Sequence, residues 1–253
     1  MPLGQIEAFQ HNGLSLTLER QSGVEPTFVW LGGLKSDMAG AKAQSMAEWA
    51  DSRAQSFVRF DYSGHGRSAG RFEDLAISDW LGDTLAVIDE LTGGPLVLVG
   101  SSLGGWLALL AARPRPARVK GLLLIAPAVD FTERLLWAGL DAETRRRIEI
   151  EGFWARPSAY DPAPYVITRK LIEDGRRHLI MDAPIMFDGP VRILQGGRDP
   201  DVPPDHARAL AGLIRAPDLR FDLIPDGDHR LSRPQDLTRL RATATELAER
   251  LAP

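Results

Sequence analysis

An apolar strand that runs straight into a small-residue turn and then a helix is the tightest constraint this chain carries. Leu96-Val97-Leu98-Val99 leads into Gly100-Ser101-Ser102-Leu103-Gly104-Gly105-Trp106. A turn this sharp forces its middle residue into strained backbone, and only small residues two positions either side let strand and helix come together. The glycines therefore set the frame. Centring on Ser102 puts Gly100 and Gly104 where they are needed, whereas centring on Ser101 would put Val99 and Leu103 there. Ser102 is the expected nucleophile, and the turn aims the Leu103 N–H at any oxyanion that develops beside it.

A serine hydroxyl is a weak nucleophile and needs a general base, which in turn needs an orienting acid. There are five histidines: His11, His65, His178, His206 and His229. His229 lies in the turn-rich stretch Ile224-Pro225-Asp226-Gly227-Asp228-His229-Arg230-Leu231, after the last expected strand and before the terminal helix, and is the expected base. His65, within Asp61-Tyr62-Ser63-Gly64-His65-Gly66-Arg67-Ser68, precedes the nucleophile and reads as a structural loop histidine. The acid should follow the strand Val191 to Gln195, in Gly196-Gly197-Arg198-Asp199-Pro200-Asp201. Asp199 is the first choice and Asp201 the reserve, while Asp226 and Asp228 are expected to shape the His229 loop. A second oxyanion donor is expected from the glycine-rich loop after an early strand, Gly32-Gly33-Leu34-Lys35-Ser36-Asp37, at the backbone of Leu34.

Apolar runs of buried-strand length alternate with helical periodicity along the rest of the chain, which argues for a mainly parallel sheet with helices on both faces. Leu14 to Leu18 alternates and reads as an antiparallel opening strand. Thr27 to Leu31, Ser56 to Phe60, Gly121 to Ile125 and Leu219 to Ile224 complete the expected strands. Helices are expected at Ala41 to Ala54, Asp74 to Leu91, Leu103 to Arg113 and Pro234 to Leu251. Residues 1–253 read as a single domain. Within it, 130–183 is polar and Arg-rich, carries Trp137, Trp154, Tyr160 and Tyr165, and reads as an inserted helical lid.

Composition narrows the function. With 30 basic against 34 acidic residues the net charge is −4, without the basic excess of a nucleic-acid binder. The absence of cysteine removes thiolate nucleophiles and thiolate metal sites, and fits a reducing compartment. No metal-ligand motif or dinucleotide fingerprint appears, so neither metal nor cofactor is expected. Met1 to Phe9 lacks the pattern of a signal peptide, and the apolar stretches are too short to span a bilayer. The expectation is a cytoplasmic protein, with a bacterial origin suggested by Arg outnumbering Lys 26 to 4.

Four stretches carry a resemblance to a known family: Gly32-Gly33-Leu34-Lys35-Ser36-Asp37-Met38, the turn Asp61 to Ser68, Gly100 to Gly105, and Gly227-Asp228-His229-Arg230-Leu231-Ser232. Over nearly its whole length the chain resembles the α/β-hydrolase superfamily. It is most similar to the abhydrolase group of the mitochondrial acyl-protein thioesterase, or mycophenolic acid acyl-glucuronide esterase, and its bacterial relatives. The resemblance implies an α/β fold with a mostly parallel, eight-stranded-type sheet, a modest lid and no cofactor. It implies hydrolysis of a small-molecule ester or acyl thioester, and supports Ser102, Asp199 and His229 as the triad. One departure is Gly32-Gly33 where many members carry His-Gly. The rival readings are a serine peptidase of the same fold and a non-catalytic ligand-binding protein.

Overall fold

Two alternating sets of apolar side chains organise the molecule. In the computed structural model, which describes residues 5–156 and 164–252, eight strands form one sheet. They are β1 (Ile6–His11), β2 (Leu14–Gln21), β3 (Val24–Leu31), β4 (Gln55–Phe60), β5 (Leu96–Ser101), β6 (Val119–Ile125), β10 (Pro190–Gly196) and β12 (Asp218–Ile224). Four further short strands, β7 (Phe153–Arg156), β8 (Tyr165–Thr168), β9 (Ile185–Met186) and β11 (Ile214–Arg215), pair outside it. The main order is β1-β2-β4-β3-β5-β6-β10-β12. Within this sheet the β1–β2 and β2–β4 pairings are antiparallel and the others are parallel.

The pleat sends successive side chains to opposite faces. Val29, Leu31, Leu96, Leu98, Leu122, Leu124, Val191 and Ile193 point into one core, closed by α2 (Ile77–Leu91), α3 (Leu103–Ala112) and α6 (Pro204–Leu213). Phe28, Trp30, Val97, Val99, Leu123, Ile125 and Leu194 point into the other, closed by α1 (Ala41–Ser52) and α7 (Pro234–Arg250). Burial on both faces explains why the central strands read as unbroken apolar runs. All ten residues of α3 are buried, so it has no polar face.

Register brings the carboxyl ends of the strands level. Leu31 pairs with Gly100, Ser101 with Ile125, Ile125 with Leu194, and Gly196 with Ile224. The loops at 32–38, 61–68, 102, 197–202 and 225–231 thus emerge along one edge, where open α/β sheets place their ligands.

Between β6 and β10 the chain leaves the sheet. The excursion holds a π-helical turn (Thr132–Leu136), α4 (Ala142–Glu151), the antiparallel pair β7–β8 and α5 (Arg169–Gly175). The sequence suggested a helical insertion, but the excursion also contains the strand pair β7–β8. β7 is largely exposed and so lacks the apolar run that marks a buried strand. The expected aromatic Tyr160 lies outside the described residues. Buried Asp130 ties the two ends of the excursion together, accepting the N–H groups of Ile180 (3.0 Å) and Met181 (2.8 Å). Among the described residues no helix is long and apolar enough to cross a membrane.

Candidate active site

The turn after β5 holds Ser102 at φ 55° and ψ −116°, in the left-handed region that a side chain avoids. Its neighbours leave it no choice. The Ser102 N–H donates to the Ile125 carbonyl at 2.9 Å, and its carbonyl accepts from Gly105 (2.9 Å) and Ala128 (3.0 Å). The flanking glycines are sterically required. A Cβ on Gly100 would lie 2.2 Å from the Gly104 carbonyl oxygen, and one on Gly104 would lie 2.0 Å from that of Leu31. Ser101 is the buried end of β5, as the motif frame predicts.

Three residues expected from separate parts of the sequence meet here. His229 Nε2 lies 3.2 Å from Ser102 Oγ, and His229 Nδ1 lies 2.8 Å from Asp199 Oδ2. A carboxylate accepts, so Nδ1 carries the proton and Nε2 is left to accept from the serine hydroxyl. The Asp199 side chain is fully buried and saturated with donors. Its Oδ1 accepts from the Asp201 (2.9 Å) and Val202 (2.8 Å) amides, and Gln195 Nε2 reaches Oδ2 at 3.3 Å. Asp201 instead lies 4.0 Å from Arg156 on β7.

The loops that carry Asp199 and His229 are knitted to each other. The Gly197 N–H donates to Ile224 (2.7 Å) and the Arg198 N–H to Gly227 (2.8 Å), while a Cβ on Gly196 would meet the Asp228 carbonyl at 2.4 Å. Asp228 accepts the Leu231 N–H and Asp226 pairs with Arg233, so both shape the loop. Lys42 of α1 donates to the Arg230 carbonyl, pinning the loop from outside. Burial pushes the Lys42 ammonium down to about 8, with Arg230 adding to the effect. Nothing in the sequence near Lys42 signals this role, because its partner is 188 residues away.

On the other side of Ser102, a Cβ on Gly33 would lie 3.5 Å from Ser102 Cβ, so the loop carrying Leu34 runs against that side chain. Leu103 opens α3, where the first amides have no intrahelical acceptor. The other histidines lie elsewhere. His206 reaches the Val129 carbonyl, His178 reaches Ser78, and His11 reaches Asn12. His65 is buried among Tyr62, Phe72 and Trp80, and this burial pushes it down to about 4. Among the described residues, Asp199, Asp201 and His229 are the group whose ligand atoms lie close enough for a metal, all within 4.8 Å. Two of its members are already bonded to each other.

A model of the Alpha/beta hydrolase family matches residues 31–240. The mouse protein "Palmitoyl-protein thioesterase ABHD10, mitochondrial" is 37% identical over 239 residues, covering 94% of this chain and 80% of the relative. The solved structure of mouse alpha/beta hydrolase domain-containing protein 10 superposes with a TM-score of 0.91 at 34% identity, covering 98% of this chain and all of that one. A structure from Agrobacterium vitis S4 superposes with a TM-score of 0.93 at 41% identity and similar coverage.

Proposed function

The chain belongs to the alpha/beta hydrolase family, as a hydrolase of carboxylic esters or thioesters, and on that premise we propose that it works through an acyl-enzyme on Ser102. The observation that carries this reading is the hydrogen-bonded line from Ser102 Oγ to His229 Nε2 (3.2 Å) and from His229 Nδ1 to Asp199 Oδ2 (2.8 Å).

In the first step His229 Nε2 takes the Ser102 proton as Oγ bonds to the substrate carbonyl carbon. The carbonyl oxygen becomes an oxyanion, held by the Leu34 and Leu103 N–H groups. Asp199 stabilises the imidazolium, which then gives its proton to the leaving alcohol or thiol as the C–O or C–S bond breaks. Water, deprotonated by the same imidazole, attacks the acyl carbon and Ser102 leaves with the proton.

The proposed substrate is an ester or thioester of a fairly hydrophobic acyl group. The name of the mouse relative, and the partly buried Phe131, Trp137, Trp154 and Tyr165 in the 130–183 excursion, support that choice. We read this excursion as the lid of a single catalytic domain. A cytoplasmic location is part of the proposal, supported by the cysteine-free composition; the mitochondrial label belongs to the relatives.

A fluorophosphonate probe should label the wild type and not Ser102→Ala, and an unlabelled wild type would overturn the mechanism. A panel of p-nitrophenyl esters, S-acyl thioesters and peptide amides should rank the first two classes above the third. Faster cleavage of the peptides would make the protein a peptidase.

A further inference from the structure

The turn Asp61 to Ser68 is the motif with no place in the chemistry above: its histidine is sealed in an aromatic cage and its serines do not reach Ser102. It emerges beside the 32–38 loop, and its side chains engage that loop's backbone. Asp61 Oδ1 accepts the Met38 N–H at 2.7 Å. The Tyr62 hydroxyl donates to the Gly32 carbonyl at 3.4 Å. From the preceding strand, Arg59 Nη1 donates to the Met38 carbonyl at 3.0 Å. The loop that carries Leu34 is therefore held firmly at its last residue, where both peptide groups of Met38 are bound, and by one longer bond at its first.

These anchors are rigid. Asp61 is buried, and its second oxygen accepts the Arg67 N–H at 2.9 Å. Gly66 packs so tightly on the carboxylate that a Cβ there would lie 2.2 Å from Oδ2. Arg59 is fixed by two bonds to buried Glu19, at 3.1 and 2.6 Å. Tyr62 is fully buried and pushed well above its ordinary value by burial first and Asp83 second, so its hydroxyl keeps its proton and remains a donor. Within the loop, the Ser36 N–H donates to the Gly33 carbonyl at 3.1 Å and closes the turn that carries Leu34, while Lys35 to Asp37 are exposed, so the outside anchors fix where this turn sits.

We propose that Asp61 and Tyr62 are positioning residues that hold the 32–38 backbone, and so set the Leu34 N–H at the oxyanion. This rests on the acyl-enzyme reading above, in which Leu34 is a donor. Neither residue touches the substrate. Their contribution is distance, and displacement of a catalytic group by about 1 Å can cost a hundredfold in rate.

In the test, Asp61→Asn keeps the volume but offers only one acceptor to the two amides, and Tyr62→Phe removes the other anchor. Active sites are counted by fluorophosphonate titration, and kcat and KM are measured per titrated site with a p-nitrophenyl ester. Affinity for an alkylboronic acid, whose tetrahedral adduct on Ser102 fills the oxyanion position, is measured alongside. For Asp61→Asn the expected result is a kcat lower by about tenfold to a hundredfold, approaching the ~10²–10³ of losing a donor outright, with KM within twofold. Boronate affinity should fall by the same factor. Tyr62→Phe should show the same pattern, several-fold in size. Unchanged kcat and boronate affinity, or a loss confined to KM, would overturn the proposal. If Asp61→Asn yields no titratable sites, Tyr62→Phe decides alone by the same criteria. Failure of the underlying mechanism is a separate result: the wild type would then take no label and Ser102→Ala would keep its turnover.

Discussion

Asp199 Oδ2 lies 2.8 Å from His229 Nδ1, and this pairing separates two aspartates only two positions apart. The Asp199 carboxylate is sealed from solvent and receives the amides of Asp201 and Val202, so Asp201 contributes its backbone to the acid rather than its carboxylate to the histidine. We expect Asp199→Asn to lower kcat by about 10⁴-fold, because an amide facing Nδ1 imposes the wrong tautomer. Asp201→Asn should stay within a few-fold of wild type. Steady-state kinetics on a p-nitrophenyl ester decide it, and equal losses in the two variants would sink the assignment.

His65 gives a pH signature in stability. Burial holds the folded imidazole to about 4, while the unfolded chain takes up its proton near the ordinary 6.5. Between those values the unfolded state binds more protons, so stability falls as pH drops from 6.5 toward 4. The whole loss from this group is about 3 kcal/mol, and it contributes nothing above 6.5. His65→Phe should flatten that part of the profile. Urea denaturation at several pH values compares the two slopes, and an unchanged slope would disprove the account.

Gly104 and Gly139 stand at opposite extremes of crowding. Gly104→Ala puts a Cβ 2.0 Å from the Leu31 carbonyl, and backbone must move to admit it. We expect a loss of about 3 kcal/mol and of turnover together. Gly139 has open space around its Cβ position, so Gly139→Ala should leave both unchanged. Thermal unfolding with parallel assays checks the pair.

Asp130 closes the base of the excursion. Asp130→Ala removes the acceptor for the buried Ile180 and Met181 amides, at a cost of about 2–4 kcal/mol. Limited proteolysis should then cut within 131–180 before the sheet domain is touched. Cleavage at the wild-type rate would mean the clasp contributes little.

Most of the scaffold was legible because each central strand is buried on both faces and reads as an apolar run. The turn at Ser102 was legible because its glycines are steric necessities visible as letters. His229 and Asp199 followed from chain order and from their place after strands. What escaped the sequence was contact across distance. Ile6–His11 is a half-exposed edge strand with little apolar signal. Gln195 reads as a polar end to an apolar strand, yet it braces Asp199. Lys42 and Asp61 support the site through partners far along the chain or through a main-chain amide, and neither kind of partner leaves a spacing pattern. The β7–β8 pair escaped because exposed strands lack the alternation that betrays buried ones.

Helix α3, which starts at Ser102, buries all ten of its residues. A helix at the surface can loosen along its whole wet face while the rest of the molecule stands, but this one has no such face and meets water only at its caps, half-buried Ser102 and exposed Arg113. The amides in the second half of the helix, bonded within it and buried on every side, should exchange hydrogen for deuterium only through global opening, at the full unfolding free energy of the protein. On the proposed mechanism, loss of activity and loss of the fold then become a single event, and a partly melted form that still kept its sheet would have no ordered Ser102 to offer.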